Sequence, residues 1–185
     1  MRRRTAMIMA GLIVITAIVV FIIDSKLYYH GKNDFGLHKE LPFKIVPQYW
    51  GYDMGMLDFV LVQSGETVVA KGMTYWDNPN IKVNEILKYG FNKEKLIALV
   101  NDSLSKEYYI VCQKQTDAHS KQELKITVVP KQNFISDEQF KWIEIKNASM
   151  GRMEEARNYL EILLILMFLI ITYNLFKNRK RVAVG

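Results

Sequence analysis

The sequence predicts an α+β membrane protein: a two-span α-helical anchor with a small β-rich extracytoplasmic domain, an antiparallel sheet plus one closing helix, held between the spans. Three observations predict it. An apolar segment lies near each end of the 185-residue chain, basic residues flank the outer side of both, and the stretch between them alternates short β-branched and aromatic runs with turn formers.

The first span is read at residues 6–23, after a short tail at 1–5. Ala6 to Ile23 carries no charge, and that many helical residues rise ~27 Å, against ~30 Å of bilayer hydrocarbon. A positively charged start and an apolar core also describe a cleaved signal peptide. The exit here, Val20-Phe21-Ile22-Ile23-Asp24-Ser25-Lys26, lacks the small-residue cleavage site, so a retained anchor is expected. Ala6, Ala10 and Ala17 fall along one side of this helix with Gly11 adjacent, which suits close approach of another helix, the obvious partner being the chain's own second span and a helix of another protein the alternative. That second span is read at 159–176, behind a juxtamembrane helix at 149–158 and ahead of a basic tail at 177–185. Glu161 and Asn174, one turn inside it, are expected to reach the boundary with water.

Charge gives the orientation. Arg2, Arg3 and Arg4 precede the first span, and Lys177, Arg179, Lys180 and Arg181 follow the second; these seven of the 25 Lys and Arg leave 18 against all 19 acids in between. Short basic flanks resist translocation, so both termini are expected in the cytoplasm and the middle outside, as in a bacterial inner or plasma membrane. The isoelectric point of 9.3 is thus a topology signal. A nucleic-acid reading would need those cations on one folded face, and they cap two membrane helices instead.

Residues 24–40 turn polar and read as a linker; residues 41–148 read as the domain. Strands are expected at Phe43–Val46, Leu57–Gln63, Thr67–Lys71, Leu96–Val100, Tyr108–Cys112 and Leu124–Val129. Ser64-Gly65-Glu66 supplies a tight turn, Asn101-Asp102-Ser103 opens a second hairpin, and Asp77-Asn78-Pro79-Asn80 reads as an exposed loop. Ser136 followed by Asp137, Glu138 and Gln139 has the form of a capping box, with Ile135 placed to staple against Phe140, which predicts the closing helix from Ser136 to about Lys146. Cys112, the only cysteine, excludes a disulfide within the chain and is expected as a small apolar residue of a buried strand.

Tyr89-Gly90-Phe91-Asn92, Leu96-Ile97-Ala98, Tyr108-Tyr109-Ile110-Val111 and Pro130 ahead of Ser136-Asp137-Glu138-Gln139-Phe140 together resemble a pattern in small uncharacterised bacterial β-rich domains found on lipoproteins or next to membrane helices. The resemblance spans about fifty residues, with Phe91 where a Tyr is usual and a longer stretch before the helix. It implies a small β-rich fold with a hairpin and closing helix, and no catalytic residues.

Little in the residues carries chemistry. His30, His38 and His119 do not share metal-ligand spacing, G-x-S-x-G and glycine-rich phosphate loops are absent, and Cys112 lies in an apolar strand. Asp53 with Asp58 is the one conceivable acid/base pair, more simply read as two solvated acids. Two N-x-S sequons, at Asn101 and Asn147, matter only in a eukaryotic secretory pathway. No enzyme, cofactor or metal is therefore expected. Tyr49, Trp50 and Tyr52, with Met54 and Met56 on a glycine-bearing loop, form the candidate partner-binding surface, and Trp76 is a second candidate. The expected partners are the lipid bilayer and a membrane or envelope protein, or a second copy. A non-enzymatic interaction module, as accessory subunit or toxin-protective partner, is favoured. A ligand-binding sensor ranks second because the cytoplasmic flanks are short, and an envelope enzyme third.

Overall fold

The computed structural model describes residues 3–32, 41–52, 56–75, 78–114, 124–136, 138–146 and 148–182. The chain divides into two compact units: a helix pair, and the segment Tyr28–Asn147.

The helix pair consists of α1 (Arg3–Leu27) and α2 (Ala148–Val182). Both are long and apolar enough to cross a membrane. On α1 the covered positions are Met9, Ile13, Thr16, Val20, Ile23 and Leu27, with Asp24 beside them; on α2 they are Met150, Met153, Arg157, Leu160, Leu164, Met167, Ile171 and Asn174. Steps alternating between three and four residues make a 3.5-residue repeat, the seam of helices that supercoil with a left hand. Hydroxyl and amide groups near this seam bond to their own backbone: Thr16 Oγ1 donates to the Leu12 carbonyl at 2.9 Å, Thr172 Oγ1 to that of Phe168 at 2.7 Å and Asn174 Nδ2 to that of Ile170 at 2.8 Å. With the chain's own second helix the expected small-residue contact does not form. Ala10, Gly11 and Ala17 are exposed because they fall off the seam, and a Gly11 Cβ would meet open space. The α1 helix also runs four residues beyond Ile23, into the segment expected as linker, of which 33–40 lies outside the described residues.

In the β-domain all strand pairs are antiparallel. A three-stranded sheet runs β1 (Ile45–Tyr52), β2 (Met56–Gln63), β3 (Glu66–Val69). A two-stranded ladder joins β4 (Thr74–Tyr75) to β5 (Asn78–Lys82), so the expected Asn78-Pro79-Asn80 loop is strand, while Asp77 lies outside the described residues. The larger sheet contains β6 (Glu85–Phe91), β7 (Lys95–Asn101), β8 (Glu107–Lys114), β9 (Leu124–Pro130) and β10 (Lys141–Glu144), ordered β10-β6-β7-β8-β9. One core joins both sheets: Ile45, Phe59, Leu61 and Val69 from the first meet Tyr89, Leu96, Ala98, Val100, Ile110, Cys112 and Val128 from the second. Central β7 is buried on both faces, which explains its unbroken apolar run. Ser64 and Gly65, at φ 51° and 87°, form the expected tight turn between β2 and β3.

The closing helix expected from Ser136 is instead β10. Ser136 Oγ does accept an N–H bond, from Glu138 at 3.2 Å, but as a local turn, and Ile135 is exposed, so no staple forms. Period-two burial wins, since Ile143 and Ile145 enter the core while Trp142 turns to the opposite face. That strand needs Gly90: Trp142 is its register partner, and a Cβ on Gly90 would stand 2.8 Å from the indole. The connection from β9 to β10 joins opposite edges of the sheet. It sets Phe134 against Tyr109 on β8 with ring centroids 4.5 Å apart, which helps cover Ile97, Leu99 and Val111 on the outer face.

Candidate functional site

Three places gather chemically distinctive residues. In the helix pair, Arg157 donates from NH1 to Asp24 Oδ1 at 2.9 Å, with both side chains almost wholly buried (4% and 0% exposed). Glu161, one turn along α2, brings Oε1 to 3.5 Å from Arg157 Nε, and Arg157 NH2 reaches Asn158 Oδ1 at 3.3 Å. Glu161, expected merely to reach water, is thus the third member of a charge cluster that sequence reasoning missed. A signal was there: Asp24 and Arg157 are the first charges beyond, and shortly before, the two apolar runs. A buried pair adds little net stability over an apolar replacement, yet its desolvation makes losing one partner expensive.

The second place is a cleft of about 350 Å³ at one end of the interface between the sheets, lined by Tyr49, Phe59, Ile86 and Ile145 below and by Asp58, Lys71, Glu85 and Lys146 at the mouth. Its charges are self-neutralised. Lys71 lies 3.8 Å from Asp58, and Lys146 pairs with Glu85, which raises the Lys146 pKa above its ordinary value. Asp58 therefore serves a lysine instead of a second acid, and Asp53 lies outside the described residues.

The third is a groove of about 910 Å³ with Phe43, Phe91 and Phe140 among its walls and Lys44, Lys93 and Lys141 around them. Asn92 builds one wall: its Oδ1 accepts from the N–H groups of Glu94 (2.9 Å) and Lys95 (2.8 Å), which folds the β6–β7 turn, and its Nδ2 donates to Glu138 at 2.8 Å. Lys95 also pairs with Glu138, and these bonds hold the Glu138 carboxyl below its ordinary pKa. Lys141 sets its ammonium 4.0 Å from the centre of the Tyr29 ring, which stacks on Phe91.

Tyr49 packs on the core, its ring 5.7 Å from Phe59 and edge-on to it. It begins an aromatic column that continues through Tyr89 and Phe91 to Tyr29, where the Tyr89 hydroxyl donates to the Tyr29 carbonyl at 2.6 Å and burial pushes the phenol pKa up. Trp50 and Tyr52 belong to strand β1 and Met56 opens β2, so the glycine-bearing segment is mostly hairpin, with Trp50 opposite Asp58 and Tyr52 opposite Met56. Met54 and Trp76 lie outside the described residues, as do Arg2, His38 and His119. Of the topology residues, Arg3 and Arg4 stand in the first turn of α1, and Lys177, Arg179, Lys180 and Arg181 in the last turns of α2.

Cys112 is fully buried in β8, and burial pushes its thiol up to about 12. His30 is buried in the 3-10 turn Tyr28–His30, and no group of three or more metal-ligating side chains occurs among the described residues. At the first sequon Asn84 Nδ2 donates to Asn101 Oδ1 at 3.4 Å, and Asp102 Oδ1 accepts from the N–H groups of Leu104 and Lys106 to close the turn. No protein-family profile, curated protein or solved structure matches the chain.

Proposed function

We propose that the chain is a two-span membrane protein whose β-domain works outside the cytoplasm as a non-enzymatic interaction module, an accessory subunit of a membrane complex or a partner that blocks a toxin at the envelope. The observation that carries this is the outward face of the helix pair. Ile8, Val14, Ile15, Ile18, Phe21, Ile162, Ile165, Phe168, Leu169 and Tyr173 are all exposed, and only 11% of each apolar window is buried. A soluble core helix would hide such side chains; lipid is the solvent that favours them exposed.

The charges support the same reading. Arg4 and Asp24 on α1, and Arg157 and Lys177 on α2, are each twenty residues apart, a rise of ~30 Å that matches the hydrocarbon layer. On this reading the basic ends lie at the cytoplasmic surface and the Asp24–Arg157 pair at the other boundary. A domain tethered by both ends has restricted reach, which suits protein contact at the bilayer better than diffusing chemistry. The groove favours ligand binding as the second reading.

The test has two parts. Reporter fusions at residues 1 and 185 should be active only in the cytoplasm and an insertion in the 115–123 segment only outside. Crosslinking of intact cells through a C-terminal tag should then capture one reproducible membrane or envelope partner, lost on replacing Trp50 and Tyr52 by Ala. Capture of nothing but the chain itself would overturn the module in favour of a self-contained ligand-binding oligomer.

A further inference from the structure

The groove and the cleft differ in how their cations are satisfied. Lys71 and Lys146 at the cleft each meet a carboxylate. Among the described residues Lys44, Lys93 and Lys141 have no carboxylate within ion-pair distance, and no acid lines the groove. The neighbouring acid, Glu138, already serves Lys95 and Asn92. Three ammonium groups around phenylalanine walls, that of Lys141 also over the Tyr29 ring, complement a molecule with a negative head and an apolar body.

The backbone at one wall is strained in a way that keeps this arrangement. Phe43 and Lys44 both sit in the left-handed region, at φ 62° and 58°, where a Cβ crowds the following carbonyl. Gln63 Nε2 holds the turn by donating to the Phe43 carbonyl at 3.0 Å, and the Ile45 N–H closes it on the Pro42 carbonyl. The result sets a phenyl ring against the core and an exposed ammonium on the next residue. Such strain gathers at ligand clamps.

We infer that this groove binds an anionic lipid, the phosphate head held by Lys44, Lys93 and Lys141 and the first acyl carbons lying on Phe43, Phe91 and Phe140. Lipid is chosen over an acidic peptide because a membrane-tethered domain has a standing supply of it, a step that rests on the membrane reading above. Full-length protein in zwitterionic micelles, titrated with water-soluble dihexanoyl phosphatidylglycerol and followed by native mass spectrometry, should retain one lipid per chain. Dihexanoyl phosphatidylcholine should bind roughly tenfold or more weakly, and inorganic phosphate should not compete at equal concentration.

In the Lys44→Gln, Lys93→Gln, Lys141→Gln triple variant, selectivity for phosphatidylglycerol should vanish, while Phe140→Ser should weaken both lipids. Protection of Cys112 from maleimide confirms that each variant is folded. Equal retention of the two lipids by the native chain, or undiminished phosphatidylglycerol binding by the triple variant, would overturn the proposal. Phosphate competing as well as the lipid would reduce the groove to a simple anion site, and an acidic phenylalanine-containing peptide binding where the lipid does not would reassign it to a protein ligand. These short-chain lipids need no bilayer, so the outcome is independent of spanning; a failure of the spanning reading shows separately as release of the chain from membranes by alkaline carbonate.

Discussion

In the helix pair the deeply buried polar groups are full charges, Asp24 and Arg157, set in a seam of Met, Ile, Leu and Val. In the β-domain the interior polar groups include the phenols of Tyr75 and Tyr89, each donating to a backbone carbonyl, and acids and lysines pair at the surface, as Lys95 does with Glu138. The two regions use electrostatics for opposite ends. A surface pair is solvated whether made or broken and contributes little. A buried pair works as a matching constraint, because each charge is costly without the other.

Breaking that constraint should give the largest effect. Asp24→Leu or Arg157→Leu alone is expected to cost about 3–5 kcal/mol, whereas the double variant should return close to the native value. Thermal midpoints of the full chain in dodecyl maltoside measure both; additive single effects would mean that the pair is not coupled. Within the domain, Gly90→Val drives a side chain into the Trp142 indole and should cost about 1–3 kcal/mol. Near-UV circular dichroism of the tryptophans should change with it, and pairing Gly90→Val with Trp142→Ala should recover part of the loss. Tyr89→Phe removes one hydroxyl and strands the Tyr29 carbonyl, for about 1–2 kcal/mol in the same melting assay.

The smallest effect belongs to an exposed pair. Glu138 has a folded pKa below its ordinary value of 4.5, so its contribution is present above that pH and is lost as pH falls through the folded pKa. Glu138→Gln should lower the midpoint slightly near neutrality and leave it unchanged once the carboxyl is protonated, which flattens the shallow decline in that acid range. A steep native decline that survives the substitution would mean other carboxylates dominate there.

Much of this fold was legible because its signals are local. The apolar spans, the β7 run and the Ser64-Gly65 turn follow from length, periodicity and turn chemistry over a few residues. What escaped depends on partners far along the chain. Lys141-Trp142-Ile143-Glu144 satisfies a helical start signal upstream as well as a period-two pattern of its own, and the choice is made by Gly90, which offers the indole a seat. Tyr49 reads as a surface aromatic until Phe59 is known to lie against it. The groove was invisible for the same reason, since Phe43, Phe91 and Phe140 come from three separate segments. Asp24 and Arg157 were each visible as a helix-end charge, but nothing local says that they meet.

Their meeting sets a schedule for biosynthesis. The two residues are 133 positions apart, and a ribosome adding about 5–20 residues per second needs on the order of ten seconds to cross that interval. Throughout it Asp24 has emerged and its cation has not been made. Over that interval the carboxylate has no cation to meet, and the buried pair can form only when Arg157 arrives. Closing the helix pair is then a late event in the making of each new chain, one that a protein truncated before α2 never completes.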